Sequence, residues 1–175
     1  MHKLIEKLVA GGVVVTDGGL GTQLQARGLP VNACTEQWNL SDPEKVEEVA
    51  RAYVEAGSQI VLTNSFGANR FVLGRHGLGE RVAEVNRAAV EIATRAAAGR
   101  AYVFGSIGPT GVMIMMGDVS EEELREAFLA QAKALAEAGA AGLAIETMSD
   151  VNEARLAVSA AADTGLPVVA CMVYG

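Results

Sequence analysis

The stretch Ala138-Gly139-Ala140-Ala141-Gly142-Leu143-Ala144-Ile145-Glu146-Thr147-Met148-Ser149-Asp150 decides the fold. An amphipathic run ends at Ala138 with Gly139 as its stop. A short apolar run starts at Gly142 and closes on Glu146-Thr147, and Ser149 or Asp150 then stands where a helix N-cap belongs. Helix stop, apolar strand, polar strand end and helix start follow one another within 13 residues, 138–150. That is the joint between two βα units that feed a parallel sheet.

The same grammar extends in both directions. Apolar, β-branched runs at 13–16, 59–63, 102–106, 142–146 and 168–173 are the strand candidates. Each is nearly continuous in apolar character, so both faces of the sheet are expected to be covered. Between them lie four helical stretches. Asp42-Pro43 supplies an N-cap and a first-turn proline for one that ends at Ala56 with Gly57 as its stop. A second covers 81–98 and ends at Gly99. Ser120-Glu121-Glu122-Glu123 is a capping box opening a third that runs to Ala138, with the acidic run forming a solvated first turn. The fourth begins at Ser149 or Asp150 and ends near Gly165, and Pro167 opens the last strand. Ala56-Gly57 and Ala138-Gly139 hold the same place in their units, a weak repeat of one βα unit. The expected fold is therefore α/β, a (β/α)₈ TIM barrel with about the first five strands and four helices in this chain. A whole barrel typically needs about 250 residues, so 1–175 reads as the N-terminal part of one barrel.

Composition narrows the function. Half of the 175 residues are apolar, enough for a sizeable core, and the formal net charge of -7 argues against a nucleic-acid binder, which needs clustered Lys and Arg. No apolar run approaches the roughly 18 residues that span a bilayer. Glu6 and Lys7 interrupt what would otherwise resemble a short signal segment, so no membrane partner and a cytoplasmic location are expected. Cys34, Cys171, His2 and His76 are scattered, and a zinc site needs three or four well-placed donors, so no metal site is read in this chain. Cys171, inside a strand candidate, is expected to be buried packing.

In a parallel barrel the active site gathers at the C-terminal strand ends. Those ends carry Asp17-Gly18-Gly19-Leu20-Gly21-Thr22-Gln23, Thr63-Asn64-Ser65-Phe66-Gly67-Ala68-Asn69, Gly105-Ser106-Ile107-Gly108-Pro109-Thr110-Gly111 and Glu146-Thr147. The glycine segment can bring backbone N–H groups to an anion, or it merely turns the chain. It is not a dinucleotide fingerprint, because position 24 is Leu, and it lacks the Gly-Lys-Ser/Thr ending of a phosphate loop. Asp17 and Glu146 together can hold an ammonium group, or one can act as a base; the plain alternative is that each caps the backbone that follows. Asn64 offers a donor and an acceptor, or is bonded to neighbouring loop backbone. Val112-Met113-Ile114-Met115-Met116 either lines an apolar mouth or is core. No Ser/His/Asp or Cys/His arrangement is identifiable, so no residue is assigned a catalytic role.

Taken as an ordered set, the four strand-end segments, together with Ala56-Gly57 and Ile145-Glu146-Thr147-Met148-Ser149-Asp150 with Glu153-Ala154, resemble the successive motifs of the homocysteine S-methyltransferase family. The resemblance implies a (β/α)₈ barrel that transfers a methyl group to the sulfur of homocysteine. It implies a zinc ion, held by three cysteines, that binds the thiol as a thiolate. The implied methyl donors are betaine, S-methylmethionine, methyltetrahydrofolate or a methylcorrinoid, the last borne by a partner protein. The resemblance implies substrate contacts from Asp17, Gly18, Gly19, Thr63, Asn64 and Glu146. The family's zinc motifs, Gly-x-Asn-Cys and Gly-Gly-Cys-Cys, do not occur in this sequence, and neither Cys34 nor Cys171 matches them. The expectation is thus an incomplete methyltransferase, inactive by itself and lacking its C-terminal zinc-binding part. The other readings are a non-catalytic half-barrel that self-associates through its open sheet edges into a homo-oligomer, a methyltransferase acting with a corrinoid protein on another donor, and an unrelated α/β enzyme that holds phosphate on the glycine loop.

Overall fold

The computed structural model describes residues 2–112 and 119–174. In chain order the elements are α1 (Lys3–Ala10), α2 (Leu20–Gln25), α3 (Trp38–Ser41), α4 (Pro43–Glu55), β1 (Ile60–Leu62), α5 (Arg70–Gly74), α6 (Val82–Ala97), β2 (Tyr102–Ile107), α7 (Glu121–Glu137), β3 (Gly142–Met148), α8 (Val151–Ala162) and β4 (Val168–Met172). Short 3₁₀ turns, Thr35–Gln37 and Gly79–Arg81, precede α3 and α6. The four strands form one parallel sheet in sequence order, β1-β2-β3-β4. Beyond Val112, the methionine-rich segment lies outside the described residues.

Local chemistry accounts for the helix limits. Ser120 accepts the Glu123 backbone N–H while the Glu123 carboxylate accepts the Ser120 N–H, completing the capping box of α7. Asp150, not Ser149, caps α8, its Oδ1 accepting from the N–H groups of Asn152 and Glu153. Pro43 opens α4, but the Asp42 side chain makes no capping bond; it accepts from Ser41 and pairs with Lys45. The repeat at the helix ends is structural: Ser58 N–H reaches Tyr53 O and Gly57 N–H reaches Val54 O, and Ala140 and Gly139 repeat the pattern onto Leu135 and Ala136. Gly57 and Gly139 sit at φ +104° and +100°, a left-handed C-cap that glycine adopts without strain.

One face of the sheet packs on α4, α6, α7 and α8. Val61, Val103, Ile107, Leu143 and Ile145 point into this layer with Val90, Leu124, Phe128, Leu135 and Leu156, all buried. Gly105 stands where a Cβ would come within 2.8 Å of Leu135 and 2.9 Å of Leu143, so its bareness sets how closely α7 approaches β2.

Three expectations need correction. The first strand candidate, 13–16, is reduced to a single parallel bridge between Thr16 and Ile60, flanked by Gln59 N–H to Val15 O and Asp17 N–H to Ile60 O. Val13 and Val15 are 89% and 53% exposed, so no packing extends the ladder. The sheet among the described residues therefore has four strands where five were expected. Nor are both faces covered. Ile60, Leu62, Phe104, Ala144, Val169 and Cys171 face an open groove of about 270 Å³, closed at one side by Ile5, Leu8 and Val9 of α1. Cys171 is consequently exposed, not packed.

Candidate functional site

At the C-terminal ends of the strands lies a cavity of about 470 Å³, lined by residues 16–21 and 62–66 with Thr35, Ser106 and Glu146. All six residues singled out from the sequence, Asp17, Gly18, Gly19, Thr63, Asn64 and Glu146, line it. Parallel pairing brings them together because it puts every strand's polar end on one rim.

The two carboxylates define its electrostatics. Asp17 follows the bridge at Thr16, and its Oδ2 accepts the Leu62 N–H at 2.8 Å, across to β1, so it is clamped by the neighbouring strand. Its Oδ1 is buried and has no hydrogen-bond partner in the protein. Burial, opposed by the Leu62 N–H and reinforced by the negative charge of Glu146, pushes the Asp17 pKa up to about 6. Glu146 is half-buried. Its Oε1 accepts from Ser106 Oγ at 2.5 Å. Past Glu146 the pairing of β3 with β4 changes register between Ile145 and Met148, and Thr147 adopts φ +63°, an outlier for a β-branched residue. The irregularity lets Ile145 and Met148 both enter the helix-side core while Glu146 stays on the cavity side. With two carboxyl groups, Asp17 and Glu146, in its lining, the cavity complements a cation.

The remaining predicted residues are scaffold as much as surface. The Thr63 hydroxyl accepts the Ser106 N–H at 3.0 Å and pairs with Ser65 Oγ at 2.5 Å. Asn64 Nδ2 donates to Thr35 O and Asn39 Oδ1, while Asn39 Nδ2 donates back to Asn64 O. The amide donor of Asn64 is thus spent on neighbouring loops, the plainer of its two readings. Gly19 is the N-cap of α2, and a Cβ on Gly18 would meet the Tyr53 hydroxyl at 3.1 Å. Backbone N–H groups of the first turn of α2, which have no partners within the helix, open beside the cavity.

Sequence reading missed several residues that hold this rim. Glu36, 4% exposed, accepts the Gly67 N–H at 2.6 Å, and a Cβ on Gly67 would come within 3.0 Å of its Oε1. Glu153, 6% exposed, accepts both the N–H and the hydroxyl of Thr110. Each buried carboxylate ties one rim loop to the body. Ser106 and Gln131, the latter on α7, complete a polar layer beneath the cavity. Ser106 and Glu153 lay within quoted segments without a role assigned to them; Glu36 and Gln131 had no local signal, because their partners are tens of residues away.

Among the described residues no group of three or more His, Cys, Asp or Glu side chains is placed to hold a metal ion. Cys34 is buried and directs its thiol to Glu36, and burial followed by the Glu36 charge pushes its pKa up to about 11, away from the thiolate a metal needs. Cys171 lies on the open groove.

Residues 14–175 match the homocysteine S-methyltransferase family. The chain is 32% identical over 158 residues to methionine synthase of Mycobacterium tuberculosis, covering 83% of this chain and 13% of that protein. It is 32% identical over 178 residues to betaine–homocysteine S-methyltransferase 1 of Rattus norvegicus, covering 98% of this chain and 43% of that protein. The chain thus spans less than half the length of either relative. Its fold is similar to that of the Escherichia coli homocysteine methyltransferase MmuM in metallated form, with a TM-score of 0.81 and 24% identity over 97% of this chain and 66% of that one.

Proposed function

The chain belongs to the homocysteine S-methyltransferase family, and from that premise we propose that its cavity binds the amino-acid end of homocysteine for methyl transfer to the sulfur. The observation that carries the reading is that Asp17, whose Oδ1 is enclosed and partnerless, lines the same cavity as Glu146. An orphaned acceptor beside a second carboxylate is costly until a donor bearing positive charge arrives. An α-ammonium group supplies both the donors and the charge. The ligand's carboxylate finds no Lys or Arg in the lining, so it is assigned to backbone N–H groups of 18–21. Leu62 and Phe66 offer apolar surface to the side-chain methylenes.

These residues bind and orient; they do not activate the sulfur. The zinc implied by the resemblance would supply a thiolate, but Cys34 and Cys171 do not fit that role, being respectively bonded to a carboxylate in the core and isolated on a strand. In this reading residues 1–175 are the N-terminal part of a (β/α)₈ barrel, supported by the sequential parallel sheet helix-covered on one face, and the metal belongs to a segment that these residues do not include. The proposal concerns the acceptor. Its donors, by resemblance, are betaine, S-methylmethionine, methyltetrahydrofolate or a methylcorrinoid.

Calorimetric titration with L-homocysteine tests it. Glu146→Gln, which keeps the shape and removes the charge, is expected to weaken binding by about tenfold or more, since a hydrogen bond between charged groups contributes roughly 1.5–3 kcal/mol. Equal affinity in the two proteins would remove Glu146 from the site.

A further inference from the structure

The floor of the cavity is held by a chain of buried polar groups to which the binding reading assigns no contact with the ligand's ammonium group. Thr63, Ser65 and Ser106 are 3%, 0% and 2% exposed. Ser65 Oγ donates to Ser106 O at 2.7 Å, Ser106 N–H donates to Thr63 Oγ1, and Gln131 Nε2 donates to Ser65 O at 2.6 Å. The only member with a side-chain bond into the cavity's charged pair is Ser106, whose Oγ donates to Glu146 Oε1. Both backbone groups of Ser106 are thus fixed by hydroxyls. Its own hydroxyl is left to fix a carboxylate.

Two observations separate this from ordinary core polarity. Gln131 is fully enclosed and its Oε1 has no partner, so a glutamine there costs stability that an apolar side chain of similar size would not. Glu146, moreover, sits beside the strained Thr147 at the change of register, where the backbone alone does not constrain a long side chain to one rotamer. A hydroxyl approaching from the neighbouring strand does so. Ser106 pairs with Ala144 in register, two residues before Glu146 on the same face, which puts its Oγ diagonally beneath the carboxylate.

We infer that Ser106 is a positioning residue: its hydroxyl, carried on a backbone fixed by Thr63, Ser65 and Gln131, holds one oxygen of Glu146 so that the other is presented to the ligand's ammonium group beside Asp17. The inference rests on the acceptor-binding reading and deepens it. Ser106 does not itself touch the ligand in this account. It acts through the orientation of Glu146, and Gln131 extends that hold to the helical layer.

The test uses the protein expressed from its native gene, at fixed neutral pH, as wild type, Ser106→Ala, Ser106→Thr and Gln131→Met, each first shown to be folded by circular dichroism. Two probes are titrated by calorimetry: L-homocysteine and 4-mercaptobutanoic acid, which lacks only the amino group. Wild type is expected to prefer the amino compound by about tenfold or more. Ser106→Ala is expected to lose most of that preference, Gln131→Met part of it, and Ser106→Thr, which keeps the hydroxyl, to retain it. A merely structural role would weaken both probes together. Undiminished preference in Ser106→Ala overturns the inference. Carbon-13 labelling of glutamate side chains gives a ligand-free check, with the Glu146 carboxyl resonance assigned by Glu146→Gln. That resonance is expected to move in Ser106→Ala and to stay in Ser106→Thr; if it is unmoved in both, the hydrogen bond is not what holds Glu146. A wild type that prefers neither probe, with the resonance moving as stated, would instead sink the ligand assignment and leave the Ser106–Glu146 link standing.

Discussion

At Asp17, stability and binding pull in opposite directions. Its pKa is raised from 3.8 to about 6, mainly by burial, so the folded chain holds this proton more tightly than the unfolded chain does. The resulting stabilisation is fully present below about pH 3.8 and is lost as pH rises through about 6; it amounts to at most about 3 kcal/mol. Binding of an ammonium group runs the other way, because it needs the carboxylate. Urea unfolding at steps from pH 4 to 7 is expected to give a stability difference between wild type and Asp17→Asn that shifts in favour of the variant as pH rises. The variant's affinity for L-homocysteine should fall about tenfold or more, while wild-type affinity strengthens through about pH 6. A pH-independent stability difference would mean that Asp17 is not buried as described. Asp17 and Glu146 were legible in the sequence because each closes an apolar run, where strand geometry alone sends a side chain over the rim. Asn64 was only half legible: its place was right, but the partners that consume its amide, Asn39 on α3 and Thr35 in the 3₁₀ turn before it, lie 25 and 29 residues earlier.

The elements that read correctly are those whose signals are local. Ser120-Glu123, Asp150, Gly57 and Gly139 act within one turn of their own helix, so the helix limits were set by neighbours in sequence. Gly139→Ala tests this cleanly, because a Cβ there meets nothing within 4 Å and its cost is purely conformational, about 1–2 kcal/mol for a left-handed residue. Gly105→Ala should cost a comparable about 1–3 kcal/mol for the opposite reason, overpacking against Leu135 and Leu143. Chemical denaturation measures both, and a neutral Gly105→Ala would show that α7 yields more readily than its packing implies. The short elements α2 and α5 escaped notice, since five or six residues carry too little periodicity to register. The first strand failed for a different reason: its sequence is strand-like, but a strand needs neighbours, and Val13 has none.

At the scale of the whole molecule, the sheet has one finished face and one open one. The helical layer buries Ile107, Phe128 and Leu135 completely, whereas β4 leaves Val169 39% exposed and Cys171 at the surface. In the 175-residue chain Cys171 is therefore expected to react with a thiol reagent under native conditions, and Cys34, enclosed and with its pKa pushed up to about 11, only on unfolding. In a closed barrel Cys171 would face the interior and be protected, so labelling rates compared with the native-gene product test the barrel reading directly. This open face was not legible from composition, because the apolar runs state only that burial is wanted, not which chain segment provides it. The central claim, that the cavity between Asp17 and Glu146 takes the amino end of homocysteine, is tested most directly by a crystal structure of the native-gene protein with L-homocysteine bound. The account predicts the ligand nitrogen within hydrogen-bond distance of Asp17 Oδ1 and a Glu146 carboxylate oxygen; a ligand seated elsewhere, or turned with its carboxylate toward Asp17, would contradict it.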